Sequence, residues 1–459
     1  MKIDSFVNNF LEFEKKNQLF DWKIDTIPIW ELIRFKMVGK LEPAYNPAFR
    51  SPGKKLSMKL VELKFFLLNF IFRNPFRIKK RVDSIFINHP RRKFNTDSGF
   101  YEDTYTDSFL NFIPNNSSYI VLENFYHFLP VNTKNLFYLD KIVYFKKFLK
   151  ILNTYKLKDN ELTKIKTIEN KFNKEFGVNI KDLEKFIREE IIAYNYFYKT
   201  LTKLFLRLRP NRLIIVVSYD GLNKIACLVA KNLNIPVYEL QHGTVGRYHL
   251  GYNYPSGVNV TSFPDFFVSW GTFWTEKTKF PTQCKIIFAG FPYLNNQKKN
   301  FGKAIKQKQI LIISQLSLDV AYFALELSKL TSYKILFKPH PREYSQIKTK
   351  YSFLENINNI EILDDPKINI YNYYNTSEYV LGSSSTALIE ALSFSVKLII
   401  VKFPGWEYFG ELKEDNVFFV NSVEETVKLF SESKVDSVVY KERFFIEISN
   451  QEFVYKLLS

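Results

Sequence analysis

The feature that most constrains the fold is an alternation of strand and helix patterns in the last third of the chain. Residues 334–337 form a short apolar run that predicts a buried strand, and residues 378–381 predict a second one. An apolar helix pattern over 387–394 and a third strand over 397–401 follow. Strands that alternate with helices indicate a parallel α/β sheet, which binds ligands at the carboxyl ends of its strands.

Polar clusters follow the first two of these strands. The first strand ends in KPHPR, residues 338–342, and the second breaks at Gly382 and continues as SSST, residues 383–386. Hydroxyls and backbone N–H groups in such a turn can bind an anion, and nearby cations add to the attraction. Serines before a helix are also common N-caps, and a proline-flanked histidine is common in turns. Together, the two clusters favour a nucleotide phosphate site.

The residues predicted to bind a nucleotide-activated ligand lie in these clusters and in the helix that follows. His340 and the turn over 383–385 are expected to hold the phosphate, and Lys338 is expected to add positive charge. Glu390, in the helix, is expected either to bond a ribose hydroxyl or to lie exposed. The full predicted set is Lys338, His340, Pro341, Arg342, Gly382, Ser383, Ser384, Ser385, Thr386 and Glu390.

The His340-Pro341 pair and the serine turn over 383–385 resemble the HP and serine/threonine motifs of bacterial GT-B glycosyltransferases that use CMP-activated sugars. These are the sialyl-, polysialyl- and Kdo-transferases of capsule and lipopolysaccharide assembly. CDP-glycerol glycerophosphotransferases of wall teichoic acid synthesis carry a similar pair. The resemblance covers the C-terminal half, and the N-terminal half only in general layout. It implies a nucleotide-activated donor, with a cytidine nucleotide favoured, and an inverting transfer.

A strand–helix–strand unit in the N-terminal half carries the predicted catalytic residues. Residues 212–218 are the clearest strand; Asp220 and a helix over 222–233 follow, and a strand over 235–240 ends in QHGT, which contains His242. A carboxylate or an imidazole at such strand ends can take the proton of a sugar hydroxyl. Alternatively, Asp220 caps the helix and His242 bonds backbone in a glycine turn. QHGT also resembles the His-Gly-Thr turn of the glycerophosphotransferases, which implies a histidine near the acceptor.

Cationic side chains in two loops are predicted to bind the acceptor: Arg91, Arg92, Arg247 and His249. The first two follow a predicted strand over 84–88, in a loop that would face a cleft and hold carboxylates or phosphates. The other two lie in the stretch 247–274, where Gly, Pro and Tyr occur without a helical period and predict a long ordered loop. Loops of that length inside a domain are usually functional, so Arg247 and His249 are also candidates for the donor phosphate.

The first 80 residues predict a helical cap and a basic amphipathic segment. Apolar residues at helical spacing over 1–40 predict two helices that join near Pro28. Residues 56–81 have basic flanks and an apolar core too short to span a bilayer, so an anionic membrane surface and packing on the protein are equally favoured. A second basic segment over 143–158 favours the membrane-facing alternative. The N-terminus lacks a small-residue cleavage site and is not expected to be a signal peptide.

Composition restricts the possible classes of protein. With 459 residues, 46% of them hydrophobic, the chain predicts a folded protein of two domains. A net charge of +18 attracts anionic partners, but the dispersed Lys and Arg residues argue against a nucleic-acid-binding module. Two cysteines make neither a disulfide framework nor a zinc set, which fits a reducing cytosol. No cofactor is expected and no metal, because the pair Asp364-Asp365 is expected to be solvated.

These observations predict an α/β protein of the GT-B class, with two Rossmann-like domains facing a cleft and an N-terminal helical extension. The predicted divisions are the cap, the acceptor domain, the nucleotide-sugar domain and a last helix that packs back on the first domain: 1–80, 81–298, 299–435 and 436–459. The expected activity is metal-independent transfer of a sugar, from a CMP-sugar by preference, to a glycan or glycolipid acceptor in bacterial surface polysaccharide synthesis. The alternatives are a CDP-glycerol- or CDP-ribitol-type polyol-phosphate transferase and a non-catalytic basic module. The expected location is the cytoplasm, and peripheral attachment to the inner face of the cytoplasmic membrane is the alternative.

Overall fold

The computed structural model describes residues 3–45, 72–89, 92–96, 98–123, 130–152, 155–301, 304–432 and 442–458. Arg91 and most of the basic segment 56–81 fall outside these residues. Within them lie two parallel β-sheets flanked by helices, together with an N-terminal helical extension.

The N-terminal extension consists of α1 (Ile3–Lys16), a hairpin of β1 (Lys23–Ile24) and β2 (Ile27–Pro28), and α2 (Ile29–Tyr45). The two predicted helices are therefore separated by the hairpin rather than joined at the proline. A buried ion pair ties them together, since Nε of Arg34 donates to Oε1 of Glu14 at 2.5 Å. Nη2 of Arg34 also donates to the carbonyl of Asn253 at 2.7 Å, which fixes the extension on the first domain.

The strands of the first domain are β3 (Ser84–Ile87), β4 (Arg92–Phe94), β5 (Tyr101–Asp103), β6 (Tyr119–Glu123), β7 (Leu136–Tyr138), β8 (Arg212–Val216), β9 (Val237–Leu240), β10 (Phe266–Ser269) and β11 (Lys285–Phe288). β4 and β5 form a hairpin, and the other seven form a parallel sheet in the order β11-β10-β9-β8-β3-β6-β7. The apolar run 213–216 is buried, as a strand covered on both faces requires. The strand order reverses between β3 and β8, and open sheets bind ligands at such a switch point.

The helices of this domain cover both faces of the sheet. They are α3 (Asp107–Leu110), α4 (Asp140–Leu152), α5 (Asp159–Phe176), α6 (Leu183–Leu208), α7 (Gly221–Asn232) and α8 (Pro292–Asn300). The longest, α6, packs against α4, α5 and α7. The basic pattern predicted over 143–158 thus includes most of a helix that packs on its own domain.

The second domain repeats the same strand order with six strands. They are β12 (Gln307–Ile313), β13 (Lys334–Lys338), β14 (Ile360–Ile362), β15 (Ser377–Gly382), β16 (Lys397–Val401) and β17 (Val417–Val420), in the spatial order β14-β13-β12-β15-β16-β17. Its helices are α9 (Asp319–Leu330), α10 (Ile347–Lys350), α11 (Ile370–Thr376), α12 (Thr386–Ala391) and α13 (Val423–Glu432). The switch point lies between β12 and β15. The helix predicted over 387–394 ends at Ala391 and continues as a 3-10 turn to Phe394.

The chain returns to the first domain after the second sheet. Nε1 of Trp274 donates to the carbonyl of Phe444 at 2.7 Å. The last helix, α14 (Asn450–Leu458), places the ring of Phe453 4.7 Å from that of Phe109, measured between centroids. The helix begins later than the sequence pattern suggested, because residues 443–446 before it hydrogen-bond to residues 270–274 of the first domain instead.

Two Rossmann-like sheets with a helical extension are what the sequence predicted, so the predicted GT-B fold class is confirmed. One hydrophobic cluster lies between the extension and the first sheet, one joins the first sheet to the second, and one fills the far face of the second. None of the helices in the described ranges is long and apolar enough to cross a membrane.

Candidate active site

The carboxyl edges of the two sheets face each other, and side chains join them across the cleft. Oγ1 of Thr244, in the turn after β9, lies 2.9 Å from Oγ1 of Thr386, in the turn after β15. Nζ of Lys93, from the first domain, lies 3.4 Å from the hydroxyl of Tyr371 in α11. The structure therefore brings the QHGT turn and the serine turn into contact, although they belong to different domains.

The serine turn begins where β15 ends. A Cβ at Gly382 would lie 3.0 Å from the side chain of Leu388 and 3.1 Å from the carbonyl oxygen of Ile313, so glycine lets the turn pass this close to β12. Oγ of Ser385 accepts the N–H of Ala387 at 3.3 Å and caps α12. Ser383 is buried. Half-buried Ser384 forms no hydrogen bond through its hydroxyl within the described ranges, which suits a ligand contact.

His340 lies at the end of β13, which β12 separates from the serine turn. Its Nδ1 accepts the N–H of Arg342 at 3.2 Å, so a ligand contact from this ring must use Nε2. Its own N–H donates to Oε2 of Glu343 at 2.9 Å. Glu343 is buried and also accepts from the hydroxyl of Tyr351 at 2.6 Å. His340 thus occupies a rigidly held turn.

Lys338, the last residue of β13, is buried. Its ammonium group contacts the hydroxyl of Tyr344 and lies 3.4 Å from the carbonyl oxygen of Pro339. Desolvation and, to a lesser degree, the positive charge of Lys93 lower the pKa of Lys338 to about 8, and Asp365 opposes this shift. The neighbouring Pro341 and Arg342 are exposed. Of Lys338, Pro341 and Arg342, Lys338 is therefore the buried residue.

His242 lies in a buried chain of hydrogen bonds. The hydroxyl of Tyr252 donates to Oε1 of Glu239 at 2.7 Å, and the same hydroxyl lies 3.2 Å from Nδ1 of His242. Nε2 of His242 lies 2.9 Å from the hydroxyl of Tyr219. His242, Tyr252 and Glu239 are buried, whereas Tyr219 is half-buried.

The direction of these bonds sets the tautomer of His242 while Glu239 is ionised. The single proton of the Tyr252 hydroxyl then goes to Glu239, so its oxygen accepts from Nδ1–H of His242. Nε2 then carries the lone pair and accepts from Tyr219. This is the tautomer of a general base whose basic nitrogen faces the half-buried Tyr219.

Burial also shifts the pKa of Glu239, the carboxyl group at the end of this chain of hydrogen bonds. Desolvation raises the pKa of Glu239 to about 7, while hydrogen bonds from Ser218 and Tyr252 oppose the rise. Oε1 accepts the N–H of Ser218 at 2.9 Å, and Oε2 is buried without a partner among the described residues. Glu239 can therefore change its charge near neutral pH.

Asp220 lies next to Tyr219 at the start of α7. It is exposed, and its side chain caps no amide of the helix. The predicted capping alternative for Asp220 is therefore not what the structure shows. The alternative for His242 was a bond to backbone, whereas its ring bonds the side chains of Tyr219 and Tyr252.

Arg247 and His249 contact parts of the chain other than the serine turn. Arg247 pairs with Asp4 of α1 and with Oε1 of Glu411, at 3.0 Å to the latter. The ring of His249 stacks on that of Phe35 with 6.0 Å between centroids, and burial lowers its pKa to about 4. Arg247 thus joins three parts of the chain and His249 packs among aromatic rings, and a ligand role for either stays a prediction.

The guanidinium of Arg92 is enclosed by hydrogen-bond partners from its own domain. Its guanidinium donates to Oε2 of Glu123 at 2.5 Å, to Oδ2 of Asp107 at 3.2 Å and to Oγ1 of Thr133 at 2.9 Å. Its side chain is only 4% exposed. These partners occupy N–H donors of the guanidinium, and the assignment of Arg92 to acceptor binding stays a prediction. Arg91 lies outside the described residues.

Lys93, which lies in the same predicted cationic loop as Arg91 and Arg92, reaches the second domain. Its ammonium lies 5.1 Å from the ring centroid of Tyr293 and 4.9 Å from that of Tyr371. The hydroxyl of Tyr371 donates to Oε2 of Glu390 at 2.6 Å. Glu390 is buried, so the alternative of an exposed position is wrong. It instead interacts electrostatically with Lys93 across the cleft.

The sequence carried weak signals for the residues that were missed. Glu239 is an acidic residue inside an otherwise apolar strand, and a buried carboxylate needs partners. Tyr219 and Tyr252 occur in stretches rich in similar residues, so no local pattern distinguishes them. The described ranges contain no group of His, Cys, Asp or Glu residues that could hold a metal ion.

No family model and no curated protein matches the sequence. Among solved structures, a UDP-GlcNAc 2-epimerase from Methanocaldococcus jannaschii is 12% identical, with a TM-score of 0.48, over 82% of this chain and 99% of that one. The Neisseria meningitidis UDP-GlcNAc 2-epimerase bound to UDP-GlcNAc is 14% identical, with a TM-score of 0.47, over 83% and 99%. The wall teichoic acid polymerase TagF is 10% identical, with a TM-score of 0.42, over 85% and 91%. These values are too low for the likenesses to carry an argument about the activity of this chain.

Proposed function

We propose that this chain is a glycosyltransferase that moves a sugar from a nucleotide-activated donor to a hydroxyl group of a glycan or glycolipid acceptor in bacterial surface polysaccharide synthesis. One observation carries the proposal: the 2.9 Å contact between Thr244 and Thr386. It places the His242 hydrogen-bond chain beside a turn of hydroxyl groups. Such a transfer needs both a proton acceptor for the attacking hydroxyl and a seat for the departing nucleotide.

The donor nucleotide binds the second domain in this proposal. The hydroxyls and N–H groups of the serine turn, together with Nε2 of His340, bind its phosphate, and Lys338 adds positive charge. Glu390 accepts from a ribose hydroxyl if its bond with Tyr371 rearranges. A CMP-sugar is favoured by the motif resemblance, and the preorganised donors stabilise the charge that develops on the leaving phosphate.

The acceptor is activated from the first domain. Its hydroxyl oxygen attacks the anomeric carbon as the bond from that carbon to the phosphate oxygen breaks, which inverts the configuration. The acceptor proton passes to the hydroxyl of Tyr219, which gives its own proton to Nε2 of His242. The imidazolium that forms is stabilised through Tyr252 by ionised Glu239. Asp220, exposed beside Tyr219, orients the acceptor.

A polyol-phosphate transferase is the second candidate, because the same His242 chain and phosphate seat would serve attack on phosphorus. The contact between the QHGT turn and the serine turn favours it, since it puts the base next to the phosphate itself. The two candidates differ in which donor is consumed and in which bond breaks.

The test is a donor-hydrolysis assay without acceptor. The purified chain is incubated with a CMP-sugar, CDP-glycerol or a UDP-sugar, and released nucleotide is separated by chromatography. Release of CMP from the CMP-sugar, lost in His242→Asn, supports the sugar transferase. Release of CMP from CDP-glycerol alone supports the second candidate. No release from any donor contradicts both.

A further inference from the structure

The ring of Tyr219, whose hydroxyl lies 2.9 Å from Nε2 of His242, packs against aromatic rings from two parts of the chain. One ring belongs to the N-terminal extension: the centroid of Phe35, in α2, lies 4.1 Å from that of Tyr219. The others belong to the loop after β9, with the centroids of His249 and Tyr252 at 5.3 and 5.6 Å. Of these three rings, the one from the extension therefore lies nearest to Tyr219.

The helix that carries Phe35 is anchored by bonds that do not involve its ring. Nη1 of Arg34 donates to the carbonyl of Leu250, which belongs to the loop after β9. Nζ of Lys224, in α7, donates to the carbonyl of Glu31 at 2.5 Å. Both Arg34 and Lys224 are buried. A residue on so firmly held a helix can fix the position of a neighbouring side chain.

The loop after β9 also packs closely on Tyr219. A Cβ on Gly251 would lie 2.6 Å from Cδ1 of Tyr219 and 2.7 Å from Cε1 of His249. Both distances are shorter than a carbon–carbon contact, so only glycine leaves room for the two rings. The Tyr219 ring thus lies in tight packing, with Phe35 as the contribution of the extension.

The backbone that leads into Tyr219 is held as well. Val217, just after β8, has a φ of +74°, which a residue with a branched Cβ rarely adopts. Nδ2 of Asn223 donates to the carbonyl of Val217 at 2.8 Å, and the N–H of Ser218 donates to Oε1 of Glu239 at 2.9 Å. With the backbone fixed in this way, the side-chain torsions of Tyr219 decide where its hydroxyl lies, and ring packing sets those torsions.

We propose that Phe35 is a positioning residue for the transfer, and that its ring keeps the hydroxyl of Tyr219 on Nε2 of His242. The inference rests on the proposed function, in which this hydroxyl relays the acceptor proton. Without the ring the Tyr219 side chain gains room to turn, and a displacement of about 1 Å can cost roughly 10²-fold in rate. The N-terminal extension is therefore part of the active site.

The first test measures donor hydrolysis by ring variants. Phe35→Leu should lower the turnover number roughly 10- to 100-fold while the donor KM stays within about twofold, because the donor binds the second domain. Phe35→Met, which has a side chain of similar size without a ring, should show the same loss. Phe35→Tyr keeps the ring and should retain turnover within about threefold.

Phe20→Leu is the matched control. Phe20 is half-buried in the same extension, as Phe35 is, but its ring contacts Tyr254 and the guanidinium of Arg34 rather than Tyr219. The control therefore loosens the docking of the extension without removing a contact of Tyr219. It should keep turnover within about twofold of wild type.

The second test is spectroscopic and separates positioning from a loss of stability. In protein labelled with nitrogen-15 histidine, the Nε2 resonance of His242 reports whether that nitrogen accepts a hydrogen bond. Its absence from His242→Asn identifies it among the five histidines. Phe35→Leu should shift this resonance in the same direction as Tyr219→Phe does, whereas Phe20→Leu should leave it in place. Gly251→Ala, which pushes on the same tyrosine ring, should shift it too and lower turnover.

The outcomes separate this inference from the proposed function. If wild type consumes a donor, and Phe35→Leu matches Phe20→Leu in turnover and in the His242 resonance, the inference is wrong and the proposed function stands. Wild-type turnover in Tyr219→Phe would also overturn the inference, because the hydroxyl would then have no part in the reaction. If wild type consumes no donor, the proposed function itself fails, and the inference fails with it.

Discussion

At the scale of single residues, the direction of hydrogen bonds decides which group takes the acceptor proton. Nε2 of His242 accepts in the folded protein, whereas Asp220 is exposed and joins no such chain. His242→Asn should therefore lower the turnover number roughly 10²- to 10⁴-fold while donor affinity stays within about twofold. Steady-state kinetics of nucleotide release, with binding measured by calorimetry, separates the two quantities.

Asp220→Asn is the matched comparison at the neighbouring strand end. Because Asp220 is assigned to orientation, its variant should keep turnover within about tenfold of wild type and raise the acceptor KM instead. If Asp220→Asn loses turnover and His242→Asn keeps it, the base is Asp220 and the assignment is reversed.

The charge of Glu239 gives the site a pH dependence. Burial raises its pKa to about 7, so Glu239 is ionised above that pH. The ionised carboxylate then accepts the hydrogen bond of the Tyr252 hydroxyl. Turnover should rise as pH increases through about 7, and Glu239→Gln should flatten that rise. The nitrogen-15 spectrum of histidine-labelled protein should show His242 with its proton on Nδ1 at high pH in wild type, and a changed tautomer balance in the variant. An unchanged spectrum would contradict the coupling.

The same raised pKa has a consequence for stability. A carboxyl group whose pKa is raised from 4.5 to about 7 favours the folded state while it is neutral. Its contribution is fully present below pH 4.5 and is lost as pH rises through about 7. Glu239→Gln should remove this part of the dependence, which melting midpoints measured from about pH 4 to about pH 8 would show as a flatter slope.

Residue-scale prediction from sequence relied on polar residues that follow a clear strand. His242 and the serine turn were singled out in this way, and the structure brings their turns into contact. The acidic partner of Arg92, Glu123, was not foreseen, because it lies 31 residues away on a strand whose pairing no local pattern reveals. Long-range partners decide whether a cation is structural or open, and one sequence does not contain them.

At the scale of elements, a close backbone approach holds the C-terminal segment. A Cβ on Gly271 would lie 2.3 Å from the carbonyl oxygen of Arg443, so the segment can run this close only against glycine. Gly271→Ala should destabilise the protein by roughly 1–3 kcal/mol by overpacking. Gly246→Ala is the control, since nothing lies within 4 Å of the position that a Cβ would take there. Chemical denaturation would measure both, and equal stabilities would contradict the role of this approach.

Strands were the most predictable elements because their buried apolar runs leave little choice of structure. β8, β13 and β16 lie where the runs indicated. Helix ends were less predictable: the apolar pattern after the serine turn tightens to a 3-10 turn at Leu392, and the last helix starts only at Asn450. Packing against another part of the chain sets these ends, and helical period alone does not report it.

At the scale of the whole molecule, the last helix ties the end of the chain to the first domain. Phe453 is 3% exposed and contacts Phe109, whereas Tyr455 on the same helix is 73% exposed. Phe453→Ala should cost roughly 3–5 kcal/mol of stability through the cavity that it leaves. Tyr455→Ala should cost less than about 0.5 kcal/mol. Similar losses in thermal denaturation of the two variants would show that the helix is not docked.

We propose that the second domain binds a nucleotide in the cleft and that the first domain supplies the proton acceptor. The most direct measurement is a thermal-shift screen of the full chain against CMP, CDP, UDP, GDP and ADP. At a hundredfold excess over the dissociation constant, a bound nucleotide stabilises the native state by about 2.7 kcal/mol. We expect a cytidine nucleotide to raise the midpoint of wild type and of His242→Asn, and we expect the double variant Ser384→Ala with His340→Ala to abolish this rise. No response to any nucleotide, or an equal response in the double variant, would contradict it.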